Sequence, residues 1–236
     1  MKKTLHKSDT RGLADHGWLL SRHTFSFAGY YNPERTRFGL LRVLNDDIVK
    51  GGMGFGEHPH DNMEIVSIPL SGELAHADST GTEQVLKVNE VQLMSAGSGL
   101  THSEYNHSEN DDVNFLQIWV FPKEKNIKPR YVQKKFEPAE RKNKIQFIVS
   151  PDKANNTLWI NQDAYFALSE PGEGSVIEYK IHHKGSGLYL FVIDGSIEIA
   201  GEKLDKRDAI GLEDIDNIKI KALKDSYILL IEVPMN

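Results

Sequence analysis

The chain has 236 residues, of which 39% are hydrophobic and 26% charged, the composition of an ordinary globular protein with one large domain or two modest ones. Its net charge of -6 argues against nucleic acid or an anionic membrane surface as the main partner. The chain has no cysteine, which excludes disulfides, thiolate nucleophiles and cysteine-based metal sites, so any metal must bind His, Asp, Glu or backbone oxygen.

The N-terminal stretch MKKTLHKSDTRG has basic residues but no apolar segment after them. No run approaches the ~18 apolar residues of a transmembrane helix. We therefore expect no secretory signal, no membrane span and a cytoplasmic protein.

Strand signals dominate the chain, and convincing helical periodicity is scarce. The best helical candidate is a short turn in EPAERKNK, where Pro138 suits a first helical turn. The sequence therefore predicts an all-β protein. The predicted strands, in chain order, are MEIVSIPL, EQVLKV, EVQLM, NFLQIWVFP, IQFIVS, TLWI, VIEYKI, GLYLFVIDG, SIEIAG, NIKIKAL and SYILLIEVP.

The two halves of the chain follow one plan. IVSIPLSGEL has a Ser-Gly turn between two strands, LYLFVIDGSIEI has Asp-Gly at that point, and the halves end alike at Pro122 and Pro234. The polar stretch KEKNIKPRYVQKKFEPAERKNK lies between them as a linker. We predict two stacked β-barrels, an N-terminal domain over residues 1–130 and a C-terminal domain over residues 131–236.

Three of the ten histidines form a pattern, His58 and His60 in HPH and His102 in THSEYN. Side chains at i and i+2 of a strand share a face, roughly 6.6 Å apart along the backbone, so two imidazoles can reach one ion. His102 and Glu104 repeat this spacing. Two neighbouring strands would then enclose a cation with three nitrogens and one carboxylate. The other histidines are expected to be solvated or structurally hydrogen-bonded; they are His6, His16, His23, His76, His107, His182 and His183.

Glu64 is the alternative source of the carboxylate. It shares the His58 face by parity, but in extended geometry it lies about 13 Å from His60. It therefore reaches the same ion only if the backbone bends at Asp61 and Asn62.

These stretches resemble a known family. GEHPHDNMEIVSIPLSG is similar to the first cupin motif and GLTHSEYN to the second. Together with SRHTFSFAGYYNP, LMSAGSGLTHSEYN and FLQIWVFP, they resemble the pirin family in its bacterial quercetinase-like branch, and the second half matches more loosely. The resemblance implies two jelly-roll-like cupin barrels, with one metal held in the N-terminal barrel by His58, His60, His102 and Glu104. Glu64 then becomes a pocket residue that orients a ligand.

The C-terminal barrel is expected to lack metal ligands. Aligning the turn glycines Gly72 and Gly195 places Ile181, His183 and Gly187 at the positions of the two histidines and the glutamate of the first motif. The strand NIKIKA offers no counterpart to the histidine of the second motif.

The resemblance implies flavonol 2,3-dioxygenase activity, with quercetin as test substrate and dioxygen as co-substrate. One divalent metal is expected, Fe(II) first, although the four ligands also suit Mn, Ni, Co, Cu or Zn. Glu104 would serve as ligand and as base for the flavonol 3-hydroxyl, with Glu64 as the reserve base.

Apolar residues before the site are candidates for lining a pocket, although core packing is the more economical interpretation of Phe25, Phe27, Met53 and Phe55. The segment SRHTFSFAGYYNP is expected to edge the pocket, because aromatic and polar residues alternate in it.

Other classes of function stay open. The resemblance also permits a regulatory protein whose metal redox state changes a surface bound by a protein partner, with flavonol turnover incidental. A sugar isomerase is disfavoured, because the metal motifs carry no cluster of Arg and Lys for a phosphate. A storage protein fits least, since burying three histidines and a glutamate is costly and has no packing purpose. We expect a monomer.

Overall fold

The computed structural model describes residues 1–152 and 156–236, and strands joined by short turns make up most of this length. The helical segments in these ranges are two 3₁₀ turns, Ser8–Thr10 and Pro138–Glu140, and the second is the short turn predicted at Pro138. No helix in the described residues is long and apolar enough to cross a membrane. The predicted all-β class is confirmed.

The strands of the first half are β1 (Lys2–His6), β2 (Gly12–Asp15), β3 (Leu19–His23), β4 (Leu41–Val49), β5 (Gly54–His60), β6 (Glu64–Ser71), β7 (Glu73–Asp78), β8 (Glu83–Lys87), β9 (Glu90–Ser95), β10 (Leu100–Asn106), β11 (Val113–Val120) and β12 (Arg130–Lys135). Those of the second half are β13 (Gln146–Ser150), β14 (Leu158–Trp159), β15 (Tyr165–Ser169), β16 (Val176–Lys180), β17 (Ser186–Asp194), β18 (Ser196–Ile199), β19 (Glu202–Asp205), β20 (Ala209–Glu213), β21 (Asn217–Ala222) and β22 (Tyr227–Pro234).

The N-terminal barrel consists of two antiparallel sheets. The larger sheet has the strand order β12-β9-β6-β11-β4-β3-β2, and the smaller has the order β5-β10-β7-β8. The turn at Gly72 takes the chain from β6 in the larger sheet to β7 in the smaller, with a φ of 73° that favours glycine. The turn therefore joins the two sheets rather than two paired strands.

The C-terminal barrel repeats this strand order, except that its edge pair β13–β14 is parallel where β3 and β2 are antiparallel. Its larger sheet has the order β1-β20-β17-β22-β15-β13-β14 and its smaller sheet the order β16-β21-β18-β19. Gly195, with a φ of 87°, connects β17 to β18 as Gly72 connects β6 to β7. The two-barrel architecture predicted from the repeat is confirmed at the level of strand order.

One edge strand of each larger sheet comes from outside its own barrel's strand run. β1 pairs with β20, from Lys2 opposite Glu213 to His6 opposite Ala209, and β12 pairs with β9. The predicted boundary between residues 130 and 131 falls inside β12. A division into 1–130 and 131–236 would therefore separate β1 and part of β12 from the sheets in which they pair. Each exchanged strand covers an edge that would otherwise leave backbone groups unpaired.

The larger sheets of the two barrels share a core. Val66 and Leu116 of one sheet belong to the same apolar cluster as Phe166 and Leu229 of the other. A single apolar cluster fills the interior of the C-terminal barrel. In the N-terminal barrel the interior clusters are two smaller ones, around Phe115 and around Met94. The space between these two clusters holds polar side chains.

Candidate metal centre

The pairing of β5 with β10 brings the predicted ligands together. His102 lies opposite His58, Leu100 lies opposite His60, and a bulge in β5 follows before the pairing resumes at Glu104. The ring centroids of the three histidines are 4.4 to 4.8 Å apart. Their potential ligand atoms lie within 4.8 Å of one another. Three imidazoles therefore converge on one small volume.

Glu104, the carboxylate predicted for the donor set, lies on the same strand as His102. It forms a second close group with His102 and His76, so His102 is common to both groups. Gln117 Nε2 donates to Glu104 Oε2 at 2.8 Å, and Ser67 Oγ lies 3.4 Å from Oε1. Burial raises the pKa of the Glu104 carboxyl to about 7. An opposite charge close to the carboxylate would favour its ionised form.

The histidines are poised to present free nitrogen lone pairs. His58 Nδ1 donates to the carbonyl oxygen of Gly56 in the bulge at 2.8 Å, so Nε2 is the nitrogen that this ring can offer to a metal. Burial, with His58 alongside, lowers the pKa of His60 to about 4, and burial with His58 and His60 lowers that of His102 to about 2. These two rings are therefore neutral at pH 7, the form that binds metals.

A buried atom without a partner supports the fit to a metal. His102 Nε2 has no hydrogen-bond partner within the described ranges, although it is buried. Buried polar atoms normally have a hydrogen-bond partner, so a buried nitrogen without one fits a role as a metal ligand. Three nitrogens and one carboxylate without a thiolate suit divalent transition metals.

The structure does not bring Glu64 into this donor set. Asn62, with a φ of 46°, bends the chain at the point where Glu64 would need a bend to reach the ion. The bend instead carries Glu64 into the larger sheet. Its Oε2 accepts hydrogen bonds from Ser95 Oγ at 2.8 Å and from the backbone N–H of Asn161, in the C-terminal half, at 3.1 Å. Glu64 therefore lies at the junction of the two barrels.

His76 lies beside the candidate ligands, and the sequence suggested no role for it at the metal. Its Nε2 lies 3.1 Å from Asp78 Oδ2, and its Nδ1 lies 3.5 Å from Nδ1 of His102. In the pairing of β7 with β10, His76 lies opposite Glu104 and Asp78 opposite His102. The available signal was the i, i+2 pair of histidine and aspartate in ELAHAD, the same spacing that identified the other two pairs.

A cavity of about 190 Å³ opens onto the histidines, and its lining residues are Phe27, Asn45, Asp47, Phe55, His58, His60, Glu104, Gln117 and Trp119. Of the four apolar candidates, Phe27 and Phe55 line it. Phe25 is 1% exposed and belongs to the core shared by the barrels, and Met53 is 42% exposed.

The remaining lining residues escaped sequence reasoning. Asn45 and Asp47 interrupt β4, LRVLNDDIV, and Gln117 and Trp119 interrupt β11, VNFLQIWV. In the described part of the chain, Asn45 Oδ1 and Trp119 Nε1 are also buried without hydrogen-bond partners. Polar side chains inside otherwise apolar strands were the signal, and these orphan atoms fit a site that binds a polar ligand.

The C-terminal barrel holds a buried carboxylate in a different arrangement. Glu232 accepts hydrogen bonds from Tyr179 Oη and from the backbone N–H groups of His182 and His183, each at 2.9 Å. His183, the residue aligned with His60, lies 3.3 Å from Tyr165 Oη. Within residues 1–152 and 156–236, both side-chain groups able to hold an ion lie in the N-terminal barrel.

Two barrels of matching strand order, one of which carries three histidines and a glutamate, define a bicupin. The chain belongs to the pirin family. The family model described as Pirin matches residues 5–120, and the model described as Quercetinase C-terminal cupin domain matches residues 147–233.

Relatives of known name match over nearly the full chain. The quercetin 2,3-dioxygenase of Escherichia coli strain K12 is 40% identical over 98% of this chain and 98% of its own. A putative quercetin 2,3-dioxygenase of Pseudomonas aeruginosa is 41% identical over 95% and 97%. The crystal structure of the bacterial pirin YhhW from Escherichia coli in complex with nickel(II) has a TM-score of 0.93 at 38% identity, over 99% of both chains.

Proposed function

We propose that this protein is a metal-dependent oxidoreductase that opens flavonols such as quercetin with dioxygen. The observation that carries the proposal is a cavity with aromatic walls that reaches His58, His60 and the buried Glu104, where His102 converges with the other two histidines. The names of the relatives at about 40% identity support the same reaction class.

The residues that would hold the metal are His58, His60, His102 and Glu104. Fe(II) is our first choice, and the nickel(II) complex of a similar pirin supports a transition metal as the bound ion. A bound divalent ion would supply a Lewis-acid and redox centre for a flavonol and dioxygen.

Aromatic side chains shape the cavity for a flat substrate. Phe27 meets Trp119 edge to face at a centroid distance of 5.2 Å, and Trp119 meets His60 in the same way at 4.9 Å. Phe55 lines the same cavity and is held edge to face by Trp18 at 5.3 Å. Such walls bind an aromatic ring through apolar contact and exclude water from the reacting oxygens.

The carboxylates of the cavity provide the acid–base chemistry. Gln117 and Ser67 hydrogen-bond to Glu104 and orient its carboxylate, which we propose as a metal ligand. A flavonol 3-hydroxyl must also lose a proton, and the cavity offers two carboxylates for that step, Glu104 and Asp47. Glu64, predicted as a reserve base, has no part in this proposal, because its carboxylate is bonded to Ser95 and Asn161.

The test begins with elemental analysis of untagged protein purified without chelator. We expect one transition metal per chain, uptake of dioxygen and loss of the flavonol absorbance band when quercetin is added. His58→Ala removes one ligand and should lose both metal and turnover. His107→Ala changes an exposed histidine and serves as the matched control. The proposal would be refuted if the protein turned over no quercetin after loading with iron, manganese, nickel, cobalt or copper.

A further inference from the structure

Asp47 occupies the junction of two adjoining cavities. It lines the cavity that contains the histidines and also a second cavity of about 290 Å³, whose lining includes His16, Trp18 and His23. Asn45, Phe27 and Phe55 are shared by the two linings as well. Together the cavities reach the size of small-molecule sites, roughly 300–1,000 Å³. A flavonol with one end at the histidines therefore passes Asp47.

One oxygen of Asp47 is held and the other is available. Ser21 Oγ, directly opposite on β3, donates a short hydrogen bond to Asp47 Oδ1. Oδ2 has no hydrogen-bond partner among the described residues. The carboxylate is thus fixed in orientation while one acceptor oxygen remains open toward the cavity. A general base needs this combination of fixed position and free lone pair.

Glu104 is less suited to take the substrate's proton. Its Oε2 accepts from Gln117 and its Oε1 lies near Ser67, and the proposed donor set uses this same carboxylate as a metal ligand. Coordination to a cation makes a carboxylate a weaker base, because the positive charge favours its ionised form.

The charges around Asp47 tune it for proton transfer near neutral pH. Burial raises its pKa to about 7, the hydrogen bond from Ser21 opposes this, and the charges of Asp46 and Glu104 raise it further. The other titratable groups that face the two cavities are His58 and His60 from β5, His23 from β3, and His16. A base whose pKa lies near the working pH is the most effective.

We propose that Asp47 is the catalytic base of this site and takes the enol proton of the flavonol. The inference rests on the proposed function. The substrate O–H bond breaks, its electron pair stays on the substrate oxygen, and the proton forms a bond to Asp47 Oδ2. The carboxylic acid later releases this proton to water or to the ring-opened product.

The test compares Asp47→Asn with Asp46→Asn in metal-loaded, full-length protein. Asp46 is the adjacent carboxylate on the opposite face of β4, where it binds Asn114 and Arg207. Both variants should keep wild-type metal content. Asp47→Asn should lower kcat/KM for quercetin about 10²-fold or more, the usual contribution of a general base. Asp46→Asn keeps the base and removes a neighbouring charge, so it should only move the rising limb of kcat/KM to lower pH and leave the plateau unchanged. Under anaerobic conditions, Asp47→Asn should also bind quercetin with less of the flavonolate absorbance band.

Ser21→Ala provides a second, independent variant. Loss of the hydrogen bond to the ionised carboxylate raises the Asp47 pKa, so the rising limb of kcat/KM against pH should move to higher pH. Comparison between variants removes the ionisation of quercetin itself, which is common to all of them.

The outcomes separate the two proposals. Two results would overturn the role of Asp47 alone, provided that the wild-type protein turns over quercetin. One is an unchanged rate in Asp47→Asn, and the other is a rising limb of kcat/KM that does not move in Ser21→Ala. Absence of turnover in the wild-type protein would overturn the proposed function and this inference with it.

Discussion

At the scale of single residues, His76 links the carboxylate of Asp78 to the ring of His102. Because a carboxylate only accepts, His76 Nε2–H donates to Asp78, and His76 Nδ1 then accepts from His102 Nδ1–H. That tautomer of His102 leaves Nε2, the buried atom without a partner, free for a metal. Tyr131 stacks on His76 at 4.5 Å and fixes the plane of its ring. The chain of three side chains therefore orients the ring of His102, a proposed metal ligand.

We predict that Asp78→Asn and His76→Phe each weaken metal binding by about 10- to 100-fold, the usual cost of losing such a partner. The measurement is a calorimetric titration of metal-free protein with Ni(II) or Co(II) at neutral pH, with the exposed His107→Phe as the control. A metal bound instead by His76, His102 and Glu104 would give a different result. His76→Phe would then abolish binding, and His58→Ala would leave the affinity unchanged.

The proximity of the four candidate ligands was predictable from two i, i+2 pairs, since strand parity depends only on local geometry. The distance argument also separated Glu64 from them. The cavity lining was not predictable. Both faces of the larger sheet are buried, so β4 and β11 lack the alternation that tells inward from outward positions, and Asp47 could not be distinguished from Asp46.

At the scale of single elements, β1 depends on its last residue for anchoring. Four of its five residues are exposed, and only His6 is buried, where Nδ1 lies 2.7 Å from Tyr189 Oη. Burial, followed by the charges of Arg35 and Arg11, lowers the pKa of His6 to about 4. The strand thus docks through a histidine that must stay neutral.

Stability should fall as the pH is lowered through this window. Above pH 6.5 His6 is neutral in both the native and the unfolded state. Between pH 6.5 and 4 the unfolded chain binds a proton at His6 and the native protein does not. The resulting loss of unfolding free energy amounts to about 3 kcal/mol near pH 4. We predict that His6→Gln flattens the fall in unfolding free energy between pH 7.5 and 5, measured by urea denaturation. The exposed His16→Gln should retain the wild-type slope. Equal slopes in all three proteins would contradict the assignment.

Eleven of the 22 strands in the described residues could be predicted, but their partners could not. Runs such as SYILLIEVP are apolar and rich in Ile, so their local pattern is sufficient. KKTLH has no such pattern, and its partner strand begins at Ala209, at the far end of the sequence. Pairing of this kind is set by tertiary contacts, which local propensity does not contain.

At the scale of the whole molecule, the two barrels share a core but differ in what they enclose. The C-terminal interior is a continuous apolar cluster, and the N-terminal interior is divided by the polar groups of the site. Back-to-back packing of the larger sheets supports the strands from which Asn45, Asp47 and Gln117 project. The interior of one barrel is therefore mainly apolar, and the interior of the other also holds the polar groups of the candidate site.

We predict that the chain tolerates a cut after β12 better than one at the predicted boundary. Fragments 1–136 and 137–236, expressed together, retain every strand intact and should co-purify through a tag on one of them. Fragments 1–130 and 131–236 divide β12 and should give less complex, because the edge of β9 loses its partner. Equal recovery of the two pairs would show that the exchanged strand contributes little.

The exchange of edge strands also sets an order of events during synthesis. Once residue 135 has left the ribosome, every strand of both N-terminal sheets and all four candidate ligands exist, so that barrel can close while the rest is still being translated. β1 is made before β20 and can pair with it only after β20 has been synthesised, roughly 10–40 s later at 5–20 residues per second. Lys2 and Lys3 are exposed and charged, and charged side chains on an unpaired strand oppose its pairing with a neighbouring chain.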